Sequence, residues 1–191
     1  MSTTLAGFAD PVLEAQRCFR ALLEAMSRPG RVQRLATGLE PPSPLSQAAA
    51  AVLLTLADSD TPVWTDAGAG AADWLRFHAG CPLAAAPEGA TFLLACAAPP
   101  PLAALQAGTE EEPHRSATLV LQVAELREGA GWRLTGPGIE SVHRLLVKGL
   151  PDGFLAAWTA NHARFPRGVD VVLCAGDRLA ALPRSTRIEE P

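Results

Sequence analysis

The chain has 191 residues, of which 48% are hydrophobic and 19% charged, enough apolar material for one packed core and too little length for two domains of ordinary size. Sixteen basic residues against twenty acidic ones give a formal net charge of −4, which excludes the broad basic face that dominates nucleic-acid affinity. No apolar run reaches the roughly 20 residues that span a bilayer, and no basic region followed by an apolar run opens the chain. We therefore expect residues 1–191 to form a single cytoplasmic domain with neither a nucleic-acid nor a membrane partner.

In chain order, Asp10 and Pro11 read as N-cap and first helical residue, and Val12, Ala15, Phe19, Leu22, Leu23 and Met26 continue at helical spacing until Pro29-Gly30. Ser43 before Pro44 repeats that start signal for a second helix through Ala48 to Leu56, apolar on all sides and so buried. A short strand is expected over 62–65, a third helix over 71–79 and a buried strand over 91–96, ended by Pro99-Pro100-Pro101. The stretch Gln106 to Arg115, with Glu110, Glu111 and Glu112 in a row, reads as an exposed loop.

The strongest strand signal is Thr118 to Val123. A turn over 128–131 is expected to return it as a hairpin onto Trp132 to Thr135. A helix over 152–163 precedes two strands, 169–173 and 178–182, joined at Ala175-Gly176-Asp177. The ends, before Gly7 and after Thr186, read as frayed or partner-dependent. Helices and strands without regular alternation predict an α/β fold with a mixed sheet flanked by helices.

The chain carries no self-sufficient catalytic motif. Lys148, its one lysine, lacks the context of a phosphate-binding loop, and its Schiff-base chemistry would need a desolvated site. Cys18, Cys81, Cys96 and Cys174 are widely spaced in or beside apolar stretches, as reduced core cysteines are. His78 and Cys81 have the spacing of half a metal site, but no second pair completes it, so no metal is expected.

Two segments stand out as candidate sites. Asp58-Ser59-Asp60-Thr61-Pro62-Val63-Trp64 places two carboxylates in a loop entering a strand, a pattern that also suits turn formation. Phe165-Pro166-Arg167-Gly168-Val169-Asp170 places an arginine in a constrained turn, where it can bind phosphate or pair with Asp170.

Taken together, Gly7 to Val12, Gln16 to Arg20, Ala25 to Gly30, Leu54 to Trp64, Phe77 to Pro82, Ser116 to Val123, Gly136 to Ile139, Phe165 to Asp170 and Leu182 to Thr186 resemble, in order, the PhnH family. Members of that family are components of the bacterial phosphonate carbon-phosphorus lyase machinery. Ala15 and Ala79 stand where relatives are expected to carry a small polar residue. The resemblance implies a fold similar to that of the pyridoxal-phosphate-dependent transferases but without the cofactor. It also implies a homodimer or a place in a complex with subunits G, I, J and K.

In that pathway, the PhnH component acts with subunits G and I to exchange the adenine of ATP for an alkyl phosphonate, forming a ribose 1-phosphonate 5-triphosphate. The later carbon-phosphorus cleavage, which uses an iron-sulfur cluster and S-adenosylmethionine, belongs to subunit J. The role expected for this chain is structural or substrate-positioning, with no cofactor and no activity in isolation. The alternative is a subunit that itself binds ATP or phosphonate, with Arg167 holding an anionic oxygen, Asp60 orienting a ribose hydroxyl or a metal-bound water and Trp64 stacking on the base.

Overall fold

The computed structural model describes residues 6–190. Helix α1 spans Pro11–Ser27 and starts where expected, with the Asp10 carboxylate accepting from Leu13 N at 3.0 Å and the Glu14 carboxylate accepting from Asp10 N at 3.2 Å. These two bonds satisfy donors that a helix N-terminus leaves unpaired. Helix α2, Gln47–Leu56, is capped by Ser46 rather than Ser43, through a bond from Ala49 N. The start is displaced because Leu45 turns inward to the core and the Ser46 amide is tied to the Gln122 side chain. Helix α3 runs Ala69–Ala79, and α4 runs Phe154–His162.

The strands are β1 (Gln33–Arg34), β2 (Val63–Thr65), β3 (Phe92–Ala95), β4 (Thr118–Gln122), β5 (Glu125–Thr135), β6 (His143–Lys148), β7 (Asp170–Ala175), β8 (Arg178–Leu182) and β9 (Arg187–Glu189). Six of them form one mixed sheet in the order β1-β8-β7-β4-β3-β2. Its β7, β4, β3 and β2 run parallel, β8 is added antiparallel to β7, and β1 antiparallel to β8. Val63, Phe92, Thr118 and Asp170 lie in one row across the starts of the four parallel strands.

Period-two alternation splits these strands between two cores. Leu94, Val120, Val172, Cys174, Leu179 and Ala181 face α1, α2 and α3 on one side. Leu93, Leu119, Leu121, Val171, Leu173, Ala180 and Leu182 face the opposite side. Because both faces are covered, β4 and β7 read as continuous apolar runs rather than alternating ones. Each leucine fully removed from water there contributes about 1.5–3 kcal/mol.

That second side is closed by α4 and a separate three-stranded antiparallel sheet in the order β6-β5-β9, so the flanking layer is only partly helical. The expected hairpin of β4 with residues 132–135 does not form. Instead β4 lies between β3 and β7, and residues 125–135 make one strand paired with β6. The turn signal over 128–131 is a bulge inside β5, since Glu128 and Trp132 both register with Leu145. Gly131 permits it: its φ is +77°, and a Cβ there would meet the Leu145 carbonyl oxygen at 2.6 Å.

The tail after Thr186, expected to be frayed or partner-dependent, forms β9, antiparallel to β5. It is fastened by Trp158 Nε1, which donates to Thr186 O at 2.9 Å. The expectation for the residues before Gly7 falls, apart from exposed Ala6, outside the described residues.

Candidate functional site

In open sheets with parallel strands, ligands usually bind beyond the carboxyl ends of the strands. Here the chain fills that edge with its own groups. The Asp66 carboxylate, just past β2, accepts from the backbone N–H groups of Cys96, Ala97 and Ala98 at 2.7, 3.0 and 2.8 Å. Three convergent N–H groups make an anion-binding concavity, and its anion is part of the protein. Beyond β4, the Gln122 side chain accepts from Ser46 N and donates to Pro44 O. Beyond β7, Gly176 O takes the Ala48 N–H and Asp177 O takes the Leu35 N–H.

The two candidate segments lie at the opposite, amino-terminal edge of the same strands. Asp58 organises a tight turn: its carboxylate accepts from Asp60 N at 3.0 Å and from the Thr61 hydroxyl at 2.9 Å, and these bonds hold its carboxyl below the usual carboxylate range. Asp60 is exposed in that turn. Trp64 is half-buried in edge strand β2 and packs against the second core.

Arg167 is exposed in the turn before β7, and its guanidinium has no partner among the described residues. No hydrogen bond or ion pair joins Asp60, Trp64 and Arg167. With strands about 4.8 Å apart, β2 and β7 are separated by roughly 14 Å across β3 and β4.

The partner of Asp170 is Arg184, not Arg167. Antiparallel pairing of Val171 with Leu182 carries the residues after β8 back beside Asp170, whereas Arg167 leaves its own turn toward solvent. Arg184 Nε and Nη2 grip both carboxylate oxygens, at 3.1 and 2.5 Å. Its Nη1 donates to Pro113 O at 2.8 Å, Nη2 also donates to the Ser116 hydroxyl, and the Arg184 backbone N–H adds a bond to Asp170 Oδ1 at 2.7 Å. One planar fork thus ties three separate segments together. The side chains are only 13% and 17% exposed. In the sequence, Leu182-Pro183-Arg184-Ser185-Thr186 stands out only as a segment of family resemblance, because nothing in its spacing reveals a cross-strand partner.

The remaining chemical candidates are structural in geometry. Lys148 sits on the small sheet, 62% exposed, with its Nζ 2.6 Å from the Glu125 carboxylate. As the sole lysine, placed outside any desolvated pocket, it does not fit a pyridoxal phosphate linkage. Burial pushes the Cys18, Cys81, Cys96 and Cys174 thiols up, Cys96 to about 12 with help from the Asp66 charge, so all four are poor thiolates. Cys81 is buried, and His78 packs against the Trp74 and Phe77 rings. Among the described residues no group of three or more His, Cys, Asp or Glu side chains is placed to hold a metal.

The sequence model of the PhnH family, described as bacterial phosphonate metabolism protein, matches residues 6–189. The chain belongs to the PhnH family. The match takes in both sheets, all four helices and the Arg184 network. Two relatives agree with the PhnH assignment. The chain is 44% identical over 187 residues to the alpha-D-ribose 1-methylphosphonate 5-triphosphate synthase subunit PhnH of Rhizobium meliloti, covering 95% of this chain and 94% of that protein. It is 39% identical over 173 residues to the putative C-P lyase subunit protein HtxG of Stutzerimonas stutzeri, covering 91% and 85%. Among the described residues no helix is long and apolar enough to cross a membrane.

Proposed function

We propose that this protein is the PhnH component of a ribose 1-methylphosphonate 5-triphosphate synthase in the carbon-phosphorus lyase route of phosphonate breakdown. The observation that carries this reading is the nearly end-to-end match, at 44% identity, to a protein of that name. The chemistry it serves replaces the adenine of ATP by methylphosphonate: the bond from ribose C1 to the base nitrogen breaks and a bond from C1 to a phosphonate oxygen forms.

The chain's own contribution is structural or substrate-positioning. Support comes from the groups that other enzymes would use. The backbone donors beyond β3 hold Asp66, the thiols are protonated, and the sole lysine is ion-paired at the surface. Asp60, Trp64 and Arg167 are the contacts this reading offers to ATP or phosphonate at the amino-terminal edge of the sheet.

The same reading puts the protein in the cytoplasm as one domain, a homodimer when isolated and otherwise assembled with subunits G, I, J and K. Its sheet is then a relative of the pyridoxal-phosphate transferase sheet that has lost the cofactor lysine, which the surface position of Lys148 supports. Forming the synthase from its purified components with and without this chain tests the proposal. Product formation is expected to collapse on omission, and an undiminished rate would overturn it.

A further inference from the structure

The end of α4 and the small sheet flank an open cleft of about 530 Å³, lined by Thr135, Gly136, His162, Phe165, Ser185 and Arg187 among others. No carboxylate lines it. We propose that this cleft is a nucleotide-binding site, with the phosphates on Arg187 and the base against Phe165.

The cationic side is built rather than incidental. His162 Nδ1 donates to Arg184 O at 2.9 Å, which leaves Nε2 as the acceptor for Arg187 Nε at 3.4 Å. The imidazole thereby holds the guanidinium from behind, through the same segment that Arg184 anchors. The two terminal nitrogens of Arg187 have no acceptor among the described residues and remain as a planar fork for an anion. Thr135 and Ser185 add hydroxyls to the same wall.

The charges around the cleft favour an anion as well. Arg164 and Arg167, in the turn that follows α4, have no carboxylate partner among the described residues. Of the acidic groups nearby along the chain, Glu189 pairs with Arg133 and Asp170 with Arg184, while the exposed carboxylate of Glu190, three residues after Arg187, does not line the cleft. The carbonyls that end α4 do not oppose it, since those of Thr159, Asn161 and His162 accept from the backbone of Ala163, Arg164 and Phe165.

The other side is aromatic: the Phe165 ring lies 62% exposed at the cleft. A phosphate alone would leave that ring in water. A base can stack on it, and stacking tolerates any base. The cleft's volume falls within the roughly 300–1,000 Å³ of small-molecule sites, which admits a nucleotide and exceeds the needs of a bare phosphate. None of this uses the assignment to the synthase.

Titration calorimetry of the full-length protein with ATP, tripolyphosphate and adenosine tests it. ATP is expected to bind saturably. R187A should weaken both ATP and tripolyphosphate by about tenfold or more, and R187K should recover only part of the loss, because it restores charge without the fork. F165A should weaken ATP by about fivefold or more and leave tripolyphosphate unchanged. Both side chains are exposed, so the variants should keep the parent's melting curve. Absence of saturable ATP binding at millimolar concentration, or unchanged ATP affinity in R187A or F165A, would overturn the proposal. Either result would leave the chain's requirement in the synthase untouched, since no partner is present in the titration.

Discussion

Arg184→Ala should destabilise the fold strongly. It removes both side-chain bonds to Asp170 and those to Pro113 O and Ser116 Oγ, and leaves a carboxylate that is only 17% exposed. Removing one partner of a buried ion pair costs about 3–5 kcal/mol. The lower end applies here, about 3 kcal/mol, because Asp170 keeps the donor from the residue 184 backbone. For a chain of this size that lowers Tm by on the order of 10 °C. Asp170→Ala should cost a similar amount, and the double variant should cost less than the sum by about 2 kcal/mol. Urea unfolding of the four proteins measures the cycle. A loss below about 1 kcal/mol for R184A, the value of an exposed pair, would refute the view that this fork holds the three segments together.

Gly131→Ala should destabilise by about 2 kcal/mol or more, since the residue combines positive φ with a backbone carbonyl in the place of its Cβ; urea unfolding reads this directly. Cys96 should alkylate about a hundredfold or more slowly than a free thiol at pH 8, because its pKa of about 12 leaves little thiolate, and peptide mapping after timed iodoacetamide treatment would reveal it. Asp58, Glu125 and Asp177 have carboxyl pKa values lowered by the Asp58 turn, by Lys148 and by Arg34. Their contribution is present above the unfolded carboxylate pKa near 4 and lost as pH falls through the lower folded values. Tm should therefore hold from neutrality to about pH 5 and decline below about pH 4, less steeply in Asp58→Asn.

Where neighbours in sequence decide the structure, the sequence was legible. The cap and periodicity of α1, the apolar runs of β3, β4 and β7 and the turn at Gly176 each follow from adjacent residues. What was not legible depends on pairing at long range. Gly129 and Gly131 signal a reversal, yet the chain continues as a bulged strand because Leu126, Leu134 and Leu145 bury one face against the second core. The polar-looking tail reads as frayed or partner-dependent until Trp158 and β5 supply its hydrogen-bonding partners. Arg184 and Arg167 are both arginines beside a proline and cannot be told apart by composition. Only the β7–β8 register assigns one to Asp170 and leaves the other to solvent.

The central claim, that this chain is a required but not self-sufficient part of a synthase, is tested most directly by following adenine release from ATP in the presence of methylphosphonate. The chain would be assayed alone, its partner subunits would be assayed without it, and it would then be added back in increasing amounts. The account predicts no release from the chain alone, little from the partners, and a rate that rises and saturates once the chain matches its partners in number. Full turnover by the partners without it, or turnover by the isolated chain, would contradict the account.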